Sequence, residues 1–196
     1  MGLTKNARLN NLFSIIETCQ LCALGANRNK MVFGEGNIDC PFMFIAEAPG
    51  MTEDQSGRPL IGRSGTLLRK MIDAIDLTGS MYLCNICKCR PPGNRKPEDS
   101  EIEICIKFLK KQIEIIEPKL IVLLGRTAVK GLLPEHKATP LDHLRDQSKE
   151  LGAFKFNDIP IVITFHPSAL LRDPGRREKA KEDFRYLQSI FIENNL

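Results

Sequence analysis

Short, solidly apolar runs alternate along the chain with longer stretches in which apolar residues recur every three or four positions. Four runs stand out: Phe42 to Ala46, Met81 to Cys84, Leu120 to Leu124 and Ile159 to Thr164. Continuous runs of this length predict strands buried on both faces of a sheet. The stretches between them carry helical spacing. Leu9, Leu12, Phe13 and Ile16 make one stripe, and Leu67, Leu68, Met71, Ile72 and Ile75 make a second with Ser64 placed as its N-cap. A third helix starts after Pro97, turns Ile102, Cys105, Ile106, Leu109, Ile113 and Ile116 inward, and stops before Pro118. A short helix should follow Gly125. The segment from Glu178 to Asn194 reads as a terminal amphipathic helix through Ala180, Phe184, Leu187, Ile190 and Phe191. Residues 134–157 form a polar connection without a readable pattern.

Strands alternating with helices predict an α/β fold, a three-layer αβα sandwich around a central, mostly parallel, four-stranded sheet. Sites in such sheets lie at the carboxyl ends of the strands. Those ends read AEAPG, NICKCRPPGNRKP, GRTA and FHPSALLRDP, and three of the four hold more Pro, Gly and polar residues than a turn needs.

The 196 residues, 42% hydrophobic and 27% charged, fit one domain spanning 1–196. No run has the length of a membrane span, and MGLTKNARLN lacks a signal-peptide core, so an intracellular protein is expected, cytoplasmic in a bacterium or archaeon, and monomeric. Seven cysteines in such a chain argue against a disulfide framework and for thiol or metal chemistry. The net charge of +4 decides little. Its placement says more, because Arg58, Arg63, Lys88, Arg90, Arg95, Lys96, Arg172, Arg176 and Arg177 fall in the Gly/Pro-rich stretches where a polyanion would be met.

Cys19 and Cys22 form a C-x2-C pair after the first helix, while Cys89 and Cys105 are split between a loop and the third helix. Four thiolates suit zinc or a [4Fe-4S] cluster, and spacing does not separate them. Cys84 and Cys87 make a second C-x2-C, so local pattern could select any of these. Cys40 and Cys84 read as small core hydrophobes. Cys87 stays open.

Three segments, AEAPGMTEDQSGRPLIGRSGTLL, NICKCRPPGNRKPED and HPSALLRDP, resemble in order and spacing the family 4 uracil-DNA glycosylases. The resemblance runs from about Cys19 to the C-terminal helix. It implies a uracil-DNA glycosylase-like fold, a base-excision activity on uracil-containing DNA, and a structural [4Fe-4S] cluster on Cys19, Cys22, Cys89 and Cys105, with no cofactor needed for the chemistry itself.

Such an enzyme must flip its base out of the stack and stabilise charge as the bond breaks. A side-chain amide can accept from uracil N3–H while donating to O4. Asn85 matches the family's uracil-reading Asn. Negative charge collects at O2 as the glycosidic bond lengthens, and a donor there acts like an oxyanion hole. His166 is the donor the family pattern places. The resemblance puts Ala46, Glu47, Ala48, Leu60, Asn85 and His166 around the base, with Glu47 as the carboxylate nearest the chemistry. DNA would be met by Lys88, Arg90, Ser168 and Arg172, with Leu170 or Leu171 as an apolar wedge in the gap left by the flipped nucleotide.

Ala46 stands where the family usually has Gly, and Leu60 where it usually has a Phe that stacks on uracil. Some relatives carry an Asp at the position of Ala48. A leucine forgoes an aromatic contact worth roughly 1 to 3 kcal/mol. These departures motivate two alternatives: an iron-sulfur DNA-binding or redox-sensing protein without turnover, and a glycosylase with a shifted base preference.

Overall fold

In the computed structural model, which describes residues 2–194, the four apolar runs lie side by side. The strands are β1 (Glu35–Gly36), β2 (Phe42–Ala46), β3 (Met81–Asn85), β4 (Leu120–Leu124), β5 (Lys155–Phe156) and β6 (Ile159–Thr164), in the order β1-β3-β2-β4-β6-β5. The four central strands are parallel. The two-residue strands β1 and β5 pair antiparallel at the edges. They were not expected, since two residues cannot show an alternation, and they satisfy backbone groups an open edge would leave bare. The parallel run of β3 reaches one residue further than expected, to Asn85, which is in register with Ala46 of β2.

Nine helices occur among the described residues: α1 (Lys5–Ile16), α2 (Ala23–Asn27), α3 (Met51–Ser56), α4 (Arg63–Asp73), α5 (Asp99–Ile116), α6 (Arg126–Leu132), α7 (Leu141–Gln147), α8 (Pro167–Arg172) and α9 (Arg176–Glu193). Alternation along the strands divides the core into two layers. Met43, Ile45, Cys84, Ile121, Leu123, Ile161 and Ile163 pack with residues of α1, α5 and α6 on one face. Phe42, Phe44, Leu83, Val122 and Val162 pack with α4 and α9 on the other. This is the expected three-layer sandwich, and Cys105 lies on the buried side of α5 as its spacing requires.

Two local expectations are corrected. The N-cap of α4 is Gly62, with Ser64 inside the helix, because Glu53 reaches over to accept from the Ile61 and Gly62 amides (3.1 and 2.7 Å) and so sets where the helix begins. Residues 134–157 are also more than a connection. They contain α7, whose buried Arg145 donates to Asp183 of α9 (2.8 Å) and to the Lys179 carbonyl (2.8 Å). Thr164, the last residue of β6, donates to the same Asp183 carboxylate at 2.6 Å. Removing one partner of such a buried pair costs roughly 3 to 5 kcal/mol, so the end of β6 is firmly held.

Candidate base-excision site

The carboxyl ends of the four parallel strands open onto a cleft of about 710 Å³ whose lining includes Glu47, Ala48, Leu60, Asn85, His166 and Arg172. Asn85 ends β3, and its side chain is 1% exposed. Both its amide nitrogen and its amide oxygen lack a hydrogen-bond partner. Buried polar groups are almost always satisfied, so an orphaned donor and acceptor on one amide, facing a cleft, signal a missing ligand.

His166 follows β6 and caps α8. Its Nδ1 accepts from the Ser168 amide at 3.2 Å and lies 2.8 Å from Ser168 Oγ. A main-chain N–H can only donate, so in the neutral ring Nδ1 is the acceptor and the proton sits on Nε2. Burial, reinforced by the positive charge of Arg172, lowers the His166 pKa to about 4, against a weaker opposing pull from Glu53. At neutral pH the ring is therefore an uncharged Nε2–H donor. Gly125, the N-cap of α6 just after β4, has φ 84°, and a Cβ there would stand 2.8 Å from that of His166. Only glycine allows that approach.

Glu47 has a carboxylate oxygen that accepts from the Thr127 hydroxyl, at the first turn of α6. The backbone of Ala46 and Glu47 is tied to the segment just after β3 through Ile86 N–H to Ala46 O (2.9 Å) and Cys87 N–H to Glu47 O (3.1 Å). Leu60 adopts φ 52°, a left-handed conformation that costs a non-glycine residue about 1 to 2 kcal/mol. Glu53 supports that loop, holding the Gly50, Ile61 and Gly62 amides on one buried carboxylate. Gly65 makes room for it, since a Cβ there would lie 1.9 Å from the Leu60 carbonyl oxygen.

Three expected positions do not fit their assigned parts. Ala46 is fully buried and packs in the core below the cleft, so its side chain does not reach a bound base. Lys88, expected at DNA phosphates, is 2% exposed, with its ammonium donating to the Asn85 carbonyl at 2.9 Å. Leu170 packs inward against Phe165 and Ala180, which leaves Leu171 exposed on the outer side of α8. Arg90 donates to Asn94 at 2.7 Å and stays near the surface, while Arg172 lines the cleft. Arg63 and Lys96 line it as well, and among the described residues their side-chain cations have no acidic or hydrogen-bonding partner, whereas Arg95 is engaged by Glu101. Sequence reasoning did not find Thr127, Glu53 or Gly125. The GRTA strand end and the ED pair were their only signals, and neither shows what it touches until the loops are folded.

On the far side of β3, Cys19, Cys22, Cys89 and Cys105 line one small cavity with Ile16, Met31 and Phe108. Main-chain Lys88 N–H points at Cys105 Sγ (3.2 Å), and Arg28 points at Cys89 Sγ (3.1 Å) while also donating to the Cys19 carbonyl (2.7 Å). Among the described residues no three His, Cys, Asp or Glu side chains close on a single-ion site. Burial pushes the thiols of Cys40 and Cys84 up to about 12 and about 11, as fits neutral core residues. Cys87 stays outside the cavity lining. Its hydrogen bond to Cys105, aided by burial, pushes its own thiol up and pulls that of Cys105 down. Among the described residues no helix is long and apolar enough to cross a membrane.

A family model described as Uracil DNA glycosylase superfamily matches residues 33–188. A type-4 uracil-DNA glycosylase of Thermotoga maritima is 40% identical over 159 residues, covering 81% of this chain and 80% of its own length. That of Sulfurisphaera tokodaii is 37% identical over 181 residues, covering 89% and 81%. One from Archaeoglobus fulgidus is 34% identical over 185 residues, covering 93% and 92%. With a cleft built around an unpartnered amide and a neutral imidazole, and with relatives of this extent, the chain belongs to the uracil-DNA glycosylase superfamily, among its type-4 members.

Proposed function

We propose that the protein hydrolyses the N-glycosidic bond of deoxyuridine in DNA, releasing uracil and leaving an abasic site. The observation that carries this reading is the buried, unpartnered amide of Asn85 in the cleft that also holds the Nε2–H donor of His166. The Asn85 oxygen accepts from uracil N3–H and its NH2 group donates to O4. As the bond lengthens, His166 Nε2–H donates to O2, where negative charge collects. A neutral donor already fixed by Ser168 needs no reorganisation at that moment. Glu47, held by Thr127, is a carboxylate lining the same cleft as these groups. It steadies the sugar cation or orients the attacking water, and Ala48 beside it supplies none of that charge. Arg63, Lys96 and Arg172 meet phosphates at the rim, and Leu171 is the residue of α8 placed to act as a wedge.

Cys19, Cys22, Cys89 and Cys105 would hold a [4Fe-4S] cluster. Four thiols line one cavity, and the N–H donors at Cys89 and Cys105 sulfur are the usual outer support of a thiolate-held cluster. When bound, it clamps α1, the loop after β3 and α5 together and contributes no group to the bond cleavage.

The test is a gel assay on a uracil-containing oligonucleotide. Alkali after incubation should cut the strand at the uracil. A protein with its cluster intact that leaves both single- and double-stranded substrate uncut would overturn the proposal and favour a binding-only role.

A further inference from the structure

Lys88 has an environment that its expected contact with DNA does not explain. Its side chain is 2% exposed and lines the thiol cavity. Among the described residues its ammonium has one hydrogen-bond acceptor, the Asn85 carbonyl at 2.9 Å, and no carboxylate partner. A buried ammonium left without counter-charge is costly by several kcal/mol in proteins. It shares the cavity lining with the four cysteines, which as thiolates around a cluster carry the opposite sign. The same residue's main-chain N–H donates to Cys105 Sγ at 3.2 Å. One residue thus reaches the thiol pocket through its backbone and the base-reading strand end through its side chain.

We propose that Lys88 is a positioning residue that couples the cysteine cluster to uracil recognition. Its ammonium holds the Asn85 carbonyl, which keeps the Asn85 amide aimed into the cleft, and the anionic cluster provides the charge that makes a buried ammonium stable there. The cluster then supports base reading without touching the base. This rests on the four cysteines being cluster ligands and on Asn85 reading uracil.

Two variants separate the charge from the hydrogen bond. Lys88→Met removes both, while Lys88→Gln keeps a donor within reach of the carbonyl and removes the charge. Lys88→Met should lower kcat/KM for uracil excision by about 10- to 100-fold, the usual cost of losing an outer-shell partner. Lys88→Gln should stay within a few-fold of the parent. Both should retain iron and sulfide and shift the cluster's midpoint potential downward, because a neighbouring positive charge favours the reduced, more negative cluster. Should either variant fail to fold, the unmodified protein still decides. Stripping its iron should speed amide hydrogen exchange at residues 85–88 more than in the rest of β3. An unshifted potential overturns the electrostatic half of the proposal. Equal losses in the two variants, or unchanged exchange after iron removal, overturn the positioning half. Absence of excision by the parent protein would count against the glycosylase reading, while potential and exchange would still judge the coupling.

Discussion

The thiol cavity and the base cleft lie on opposite sides of the stretch from Asn85 to Cys89, and they are built in opposite ways. In the cavity, polar groups already have internal partners: Arg28 and the Lys88 amide are both directed at sulfur. In the cleft, the Asn85 amide has none. A region whose donors are saturated by the protein itself does structural work. A region that keeps a buried donor and acceptor idle is arranged for something that arrives. On the proposed reading, the difference puts the chemistry at Asn85 and His166 and the stability at the cysteines.

Substitutions on the two sides should therefore fail differently. The largest effect is expected for His166→Ala, which removes the O2 donor. Excision should fall by about 100- to 1,000-fold, as for loss of an oxyanion-hole donor, while iron content and melting temperature hold. A comparable loss of iron in this variant would erase the distinction between the regions. Cys105→Ala should lose iron and melt at a lower temperature, with any fall in excision following from the loss of the cluster rather than of a group that touches the base. For a chain of this size each 1 kcal/mol lost lowers the midpoint by about 2 to 4 °C. Thr127→Val should cut kcat by about tenfold, since a hydrogen bond to a charged group is worth roughly 1.5 to 3 kcal/mol, and Thr127→Ser should restore it. If valine is harmless, the orientation of Glu47 does not matter to turnover.

The smallest effect expected is in the pH profile. With the His166 pKa lowered to about 4, kcat/KM should show no inflection near the usual histidine value of about 6.5. It should drop only as pH approaches about 4, where a protonated Nδ1 can no longer accept from Ser168. The stability sign is the same. The unfolded chain takes up this proton first, so folded stability falls as pH drops from about 6.5 toward about 4.

Much of this was legible in the sequence because it rests on periodicity and strand position. Solid apolar runs marked the four central strands, and the resemblance of the strand-end segments to the family 4 motifs pointed to Asn85 and His166. What escaped depended on where side chains go once the loops close. Lys88 looks like a loop cation, yet the strand end turns its ammonium inward onto the Asn85 carbonyl. Leu170 and Leu171 are alike in sequence and separate only when α8 presents one to Phe165 and the other outward. Leu60 could be noted as a non-aromatic residue, but its left-handed backbone could not.

The central claim is that the idle Asn85 amide reads uracil N3–H. Its most direct test is the single-turnover excision of 3-methyluracil against uracil in otherwise identical DNA, by the parent protein and by Asn85→Ala. A site built to bond a polar hydrogen rejects an analogue lacking it by large factors, on the order of 10⁴ or more in the strongest cases. The parent should therefore discriminate strongly against the methylated base, while Asn85→Ala, slow on both, should hardly discriminate. Equal excision of the two bases by the parent would contradict the account.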